Sequence, residues 1–156
     1  MGDIQAKSRN RITLCGSLLS IAIGIFFLTI NLKAELLENK FLLFQLCSAI
    51  PMFLTSILAY SKAGYREKYK KWDGLGWFTF TIGYAFVIDA ISILINLKIN
   101  HIVAIYFLVV SALSAMLYSS VDIIYDSKSF KERFCKDTFF ISILIFLGLF
   151  VILGIY

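Results

Sequence analysis

Five long stretches of the chain are nearly free of charge: residues 12–31, 41–61, 74–96, 101–125 and 138–156. Polar and charged residues crowd into the short segments between them. Each stretch is about as long as a bilayer-crossing helix needs to be, roughly 20 residues for roughly 30 Å of hydrocarbon. The apolar residues run on without alternation, which argues against transmembrane β-strands, whose lipid-facing and lumen-facing positions exchange at every residue. In lipid a backbone N–H or C=O finds no water and must pair within its own segment. The pattern therefore predicts an all-α integral membrane protein, a single polytopic domain over residues 1–156 with five transmembrane helices.

Composition agrees. The 156 residues are 60% hydrophobic and 16% charged, with one proline, and the mean hydropathy is +0.84. That leaves too little polar surface for a water-soluble domain. The inter-helix segments are too short to bury a core of their own, so any chemistry is expected inside the membrane. The first stretch follows Lys7, Arg9 and Arg11 as a signal peptide's apolar region would. It is longer than such a region and no small-x-small cleavage site follows, so a retained anchor is expected. Ala6 stands where an N-myristoylation signal needs Ser or Thr.

Charge adds an orientation. Lys7, Arg9 and Arg11 precede the first stretch; Lys62, Arg66, Lys68, Lys70 and Lys71 lie between the second and third; Lys128, Lys131, Arg133 and Lys136 lie between the fourth and fifth. The alternate loops hold only Lys33, Lys40 and Lys98. By the positive-inside rule the N-terminus is expected in the cytoplasm and the C-terminus outside. A bacterial inner membrane is the expected location. Tyr60, Trp72, Trp77 and Tyr125 sit at stretch ends, where interfacial rings gather.

Membrane helices pack through small and polar side chains, because lipid tails compete equally for large apolar ones. Gly16, Ser20 and Gly24 recur every four residues and form a candidate packing ridge for a homo-oligomer. The second stretch carries Gln45, Ser48, Ala49, Met52, Ser56 and Ala59, with Pro51 expected to kink it. The fourth carries Ala104, Ser111, Ala115, Tyr118 and Asp122. The fifth has little beyond Ser142 and two glycines and is expected at the periphery, facing lipid.

The third stretch, GYAFVIDAISILIN over residues 83–96, holds an acid amid aliphatic and aromatic neighbours. Thr81, Ala85, Asp89, Ser92 and Asn96 share a sector of roughly 80° at about 100° per residue. Asp89 lies roughly 10 Å below the Asn96 end, at the depth of Gln45 and Ser111. No Lys or Arg falls within any of the five stretches, so burial favours the neutral, hydrogen-bond-donating carboxyl. The cluster Asp89, Gln45, Ser111, Ser92 and Asn96 has two readings. One is a proton or cation site, the default for an intramembrane acid. The other is an interhelical hydrogen bond on the order of 1 kcal/mol. Asp122, one turn from the inner boundary, reads as a helix-end residue.

Catalytic chemistry finds no support. His101 is the single histidine, which excludes zinc motifs of the HExxH kind. Cys15, Cys47 and Cys135 lack CxxC spacing, and the two intramembrane acids lie at opposite depths. No catalytic residue, metal or cofactor is expected.

In the basic segments Tyr65, Tyr69 and Trp72, and again Phe130 and Phe134, alternate with cations in the manner of short amphipathic helices. Lys68, Lys70, Lys71, Lys131, Arg133 and Lys136 are expected to meet anionic headgroups or to dock a cytosolic protein; direct nucleic-acid binding is not expected. The expected function is a non-enzymatic oligomeric subunit, an anchor, sensor or scaffold for that partner. The alternative is a small ion or proton channel or transporter using Asp89. A conducting path needs polar residues at every depth, and the inner half of the third stretch is largely Phe, Trp and Tyr, which favours the subunit. Compact basic-inside membrane proteins occur among bacterial antiviral defence components, a context that rests on analogy of class alone.

Overall fold

The computed structural model describes residues 2–32, 39–65, 69–125 and 130–155. Among the described residues every regular element is helical: α1 (Gly2–Leu32), α2 (Lys40–Tyr65), α3 (Tyr69–Lys98), α4 (His101–Tyr125) and α5 (Phe130–Ile143). The last passes into a π-helical turn (Leu144–Leu149) and a short α6 (Phe150–Ile152). Five helical spans are long and apolar enough to cross a membrane: Gln5–Asn31, Lys40–Tyr65, Lys70–Lys98, His101–Val121 and Phe134–Ile152. Two asparagines start helices by capping orphan N–H groups. Asn39 Oδ1 accepts from the Leu42 N–H at 3.0 Å, and Asn100 Oδ1 from the Val103 N–H at 2.9 Å.

The expected short amphipathic helices fall in part on residues 66–68 and 126–129, outside the described residues. α2 continues to Tyr65, α3 already begins at Tyr69 and α5 at Phe130, so the described parts of the basic stretches extend the apolar helices. Pro51 likewise sits inside an unbroken α2, where its missing N–H leaves one carbonyl of the preceding turn without its usual donor.

The chain divides into two compact units, residues 1–87 and 88–156. In the first, α1 buries Ser8, Cys15, Ala22 and Thr29, and α2 buries Leu42, Ala49, Ser56 and Ala63. Both sets recur every seven residues, the repeat that keeps one helix face turned toward a partner. Ser8 lies beside Gly64 and donates to the Tyr60 carbonyl, whereas Cys15 meets Ser56 at 3.4 Å. Positions that rise on α1 fall on α2, so the pair is antiparallel. Small residues let the two backbones approach closely, the main source of attraction between helices in lipid.

The first part of α3 completes this unit. Phe80 and Phe86 meet Phe53 and Phe44 edge-on, with ring centroids 6.2 and 6.0 Å apart. A side chain at Gly83 would lie 3.3 Å from the Phe53 ring, and one at Gly76 would lie 2.8 Å from the Tyr60 ring. At the charged end Arg11 pairs with Asp73 and lies over the Tyr60 ring, 5.1 Å from its centroid. Lys62 caps the Trp72 ring at 4.4 Å.

In the second unit α4 and α5 run antiparallel: Ser119 donates to Asp137 at 2.8 Å, and Leu108 lies beside Gly148. The fifth span, expected at the periphery, turns one stripe inward and leaves the rest of its surface exposed or half-buried. Phe140, Leu144, Gly148 and Ile152 are all buried. A four-residue spacing overshoots an α-helical turn of about 3.6 residues; the wider π turn over Leu144–Leu149 takes up the excess and keeps the stripe on one side.

Candidate functional site

Around Asp89, α3 is buried on nearly all sides, from Ala85 through Ala90 and again at Ser92 and Ile93. Asp89 itself has no exposed surface. Its carboxylate lies against Gly148, in the π-helical turn, with Leu108 of α4 as the next neighbour. A methyl group at Gly148 would run into the carboxylate. The glycine here is required by close approach, since its positive-φ freedom is not used.

Neither carboxylate oxygen has a hydrogen-bond partner among the described residues. Ser92, one turn away, donates to the Ile88 carbonyl of its own helix at 2.8 Å. Asn96 and Ser111 are half-buried. Gln45 is fully buried, in the first unit, whereas Asp89, Ser92, Asn96 and Ser111 belong to the second. The stretches 74–96, 101–125 and 138–156 contain no Lys or Arg. An unsatisfied buried polar group costs about 1–3 kcal/mol, and π turns occur frequently at functional sites. Chemically, the arrangement offers one acid, in an apolar enclosure, beside a backbone turn with non-standard pairing.

The small-residue ridge lies elsewhere. Ser20 and Gly24 are exposed and Gly16 is half-exposed. A Cβ built at Gly16 or at Gly24 has nothing within 4 Å. Hydroxyls along this side are committed to their own helix: Thr13 to the Arg9 carbonyl, Ser17 to that of Thr13, Ser20 to that of Gly16, at 3.0–3.1 Å. The result is a smooth, narrow face without open donors.

Of the basic residues, Lys70 and Lys71 are exposed and Lys136 is half-buried. Lys68 lies outside the described residues, as do the side chains of Lys131, Arg133 and Asp122. His101 opens α4 on the surface, Cys47 and Cys135 are exposed, and Cys15 is buried in the α1–α2 seam. Among the described residues no group of three His, Cys, Asp or Glu side chains is placed to hold a metal.

Sequence reasoning found Asp89 but not Gly148. The signal available was a glycine inside the run LIFLGLF, where helix propensity disfavours it and a close neighbour is the usual reason. It also missed the Ser8–Cys15–Ala22–Thr29 seam and the Arg11–Asp73 pair.

The chain is thus an all-helical protein with five helices of membrane-spanning length and hydropathy. Comparison with protein-family models, curated proteins and solved structures finds no match to it.

The apposition of Asp89 and Gly148 predicts strong coupling. Gly148→Ala is expected to destabilise the protein in detergent, and adding Asp89→Ala is expected to recover most of the loss. A double-mutant cycle of unfolding free energies should give an interaction of roughly 0.5–3 kcal/mol; additive losses would exclude the contact.

Proposed function

We propose that this protein is a non-enzymatic membrane subunit that associates with further copies of itself and presents its basic segments to anionic headgroups and to a cytosolic protein. The reading rests on the outward face of α1. Gly16, Ser20 and Gly24 form a small-xxx-small ridge that the chain's own packing leaves open, while the opposite face carries the seam to α2. A helix with two small-residue faces, one occupied, is suited to a second helix. Association by such a ridge needs no catalytic group, and it multiplies the basic segments at one surface.

The proposed orientation places the N-terminus in the cytoplasm, the C-terminus outside and the protein in a bacterial inner membrane. The positive-inside rule supports the orientation. So does the first unit, whose basic residues Arg11 and Lys62 lie at one end with Asp73 and Trp72.

A second reading, a small proton or cation transporter, is favoured by one observation: the carboxylate of Asp89 is enclosed without a hydrogen-bond partner among the described residues. Intramembrane acids carry protons or ions by default.

Three experiments separate these statements. Gly16→Leu with Gly24→Leu, where the monomer has room for both side chains, should abolish cross-linked oligomers in membranes and leave the unfolding midpoint of the detergent-purified chain unchanged. Oligomers that persist would refute the ridge. Reporter fusions after Lys70 and Lys131 should fall on one side and a fusion after Lys98 on the other; any other pattern overturns the orientation. Proteoliposomes of the wild type should show no proton or cation flux above that of empty vesicles. Flux that Asp89→Asn abolishes would establish the transporter instead.

A further inference from the structure

A cavity of about 680 Å³ opens between the first turns of α1 and the last turns of α2. Gln5, Arg9 and Asn10 line it from α1, Ser61 and Tyr65 from α2, and Ile12 is the large aliphatic residue of the lining. All five polar side chains can donate hydrogen bonds: a guanidinium, two amides and two hydroxyls. Among the described residues no carboxylate lines it. Among the described residues its lining combines one fixed cation with several neutral donors, a set that suits an anion.

Arg9 is the cation left for that purpose. Arg11, two residues on and so on a different side of the helix, is committed to Asp73 and the Tyr60 ring. Arg9 is exposed and has no carboxylate partner among the described residues. The hydroxyl of Ser8 is already bound to the Tyr60 carbonyl, so it forms wall rather than ligand. Gly64, packed on Ser8, keeps the wall low.

Position narrows the anion. The charge-free stretch of α1 starts at Ile12 and that of α2 ends at Ser61, so the cavity straddles the boundary between hydrocarbon and water. We infer that it binds the phosphate of an anionic phospholipid, with Arg9 supplying the charge, Gln5, Asn10 and Ser61 the neutral donors, and Ile12 the start of the path along which the acyl chains leave. The volume exceeds that of phosphate and is within the roughly 300–1,000 Å³ of ligand pockets, enough for a phosphodiester with its glycerol. A soluble anion would have no use for Ile12 or for a position at the start of the apolar stretches. The site rests on the proposed reading that the basic segments meet anionic headgroups, but it shares no residue with the ridge or with Asp89, so its failure would leave the association through α1 standing.

The test uses the full chain in a non-ionic detergent and short-chain lipids as probes, with the unfolding midpoint and native mass spectrometry as readouts. Phosphatidylglycerol should raise the wild-type midpoint and remain bound in the spectra, while phosphatidylcholine and inorganic phosphate should do neither. Arg9→Gln should weaken the phosphatidylglycerol effect roughly tenfold in concentration, as loss of a charge-assisted pair requires. Ser61→Phe, which replaces a proposed donor with a bulky ring and keeps the charge, should abolish it, and Lys40→Gln, at the other end of α2, should change nothing. Folded Arg9→Gln and Ser61→Phe proteins with wild-type response would overturn the site. Equal stabilisation by inorganic phosphate would make the ligand a free anion, and equal stabilisation by phosphatidylcholine would remove the charge selectivity; either result overturns the proposal from the wild type alone.

Discussion

The Ser56 hydroxyl ties three helices together. It donates to the Gly76 carbonyl of α3 at 2.7 Å, and its remaining lone pairs face the Cys15 thiol of α1 at 3.4 Å. Such a relay is possible only where three backbones come close, and in lipid close approach is what small side chains provide. The heptad of Ser8, Cys15, Ala22 and Thr29 supplies it on α1, Ala49, Ser56 and Ala63 on α2, and Gly76 and Gly83 on α3. Each hydrogen bond is worth only about 1 kcal/mol. The seam gains most from dispersion along its length, and the bonds fix its register. Arg11 with Asp73 and Tyr60 closes the same end with charge.

The spans were legible because hydrocarbon thickness imposes one length scale on every helix, and no tertiary choice can override it. Faces were harder. On α1 the sequence offers two small-residue stripes, Gly16–Ser20–Gly24 at a spacing of four and Ser8–Cys15–Ala22–Thr29 at seven. Residue type does not rank them. What decides is the partner: α2 repeats Leu42, Ala49, Ser56 and Ala63 at seven as well, and two helices with matched heptads share a continuous seam. The inward stripe of the fifth span was out of reach for a related reason. Its buried stripe of Phe140, Leu144, Gly148 and Ile152 steps by four and lines up only through a π turn, a distortion that α-helical periodicity does not anticipate.

Asp89 was visible as an acid among apolar residues, but its surroundings were not. Polar residues at equal depth, Gln45 and Ser111, were the natural candidates for its partners. Depth along a helix is readable from residue count; azimuth between helices depends on packing that a single chain's pattern leaves open. The carboxylate lies against Gly148, and the hydroxyl of Ser92 turns to its own backbone, as serines in helices commonly do when the preceding carbonyl is within reach.

The first half of α3 bears on both functional readings. Phe80 and Tyr84 stack with ring planes 3° apart and centroids 6.0 Å apart, Phe53 packs edge-on to Phe80, and the Tyr60 ring covers Gly76. Between Thr81 and Asp89 the Tyr84 hydroxyl is the one polar side-chain group, and the Tyr84 ring is stacked on Phe80, so this part of α3 reads as packing surface more than as a path. The proposed association lies on α1 instead, where the hydroxyls of Thr13, Ser17 and Ser20 bond to their own helix. Hydroxyls already satisfied by their own backbone have little to offer water, which favours a dry seam between copies in the proposed subunit.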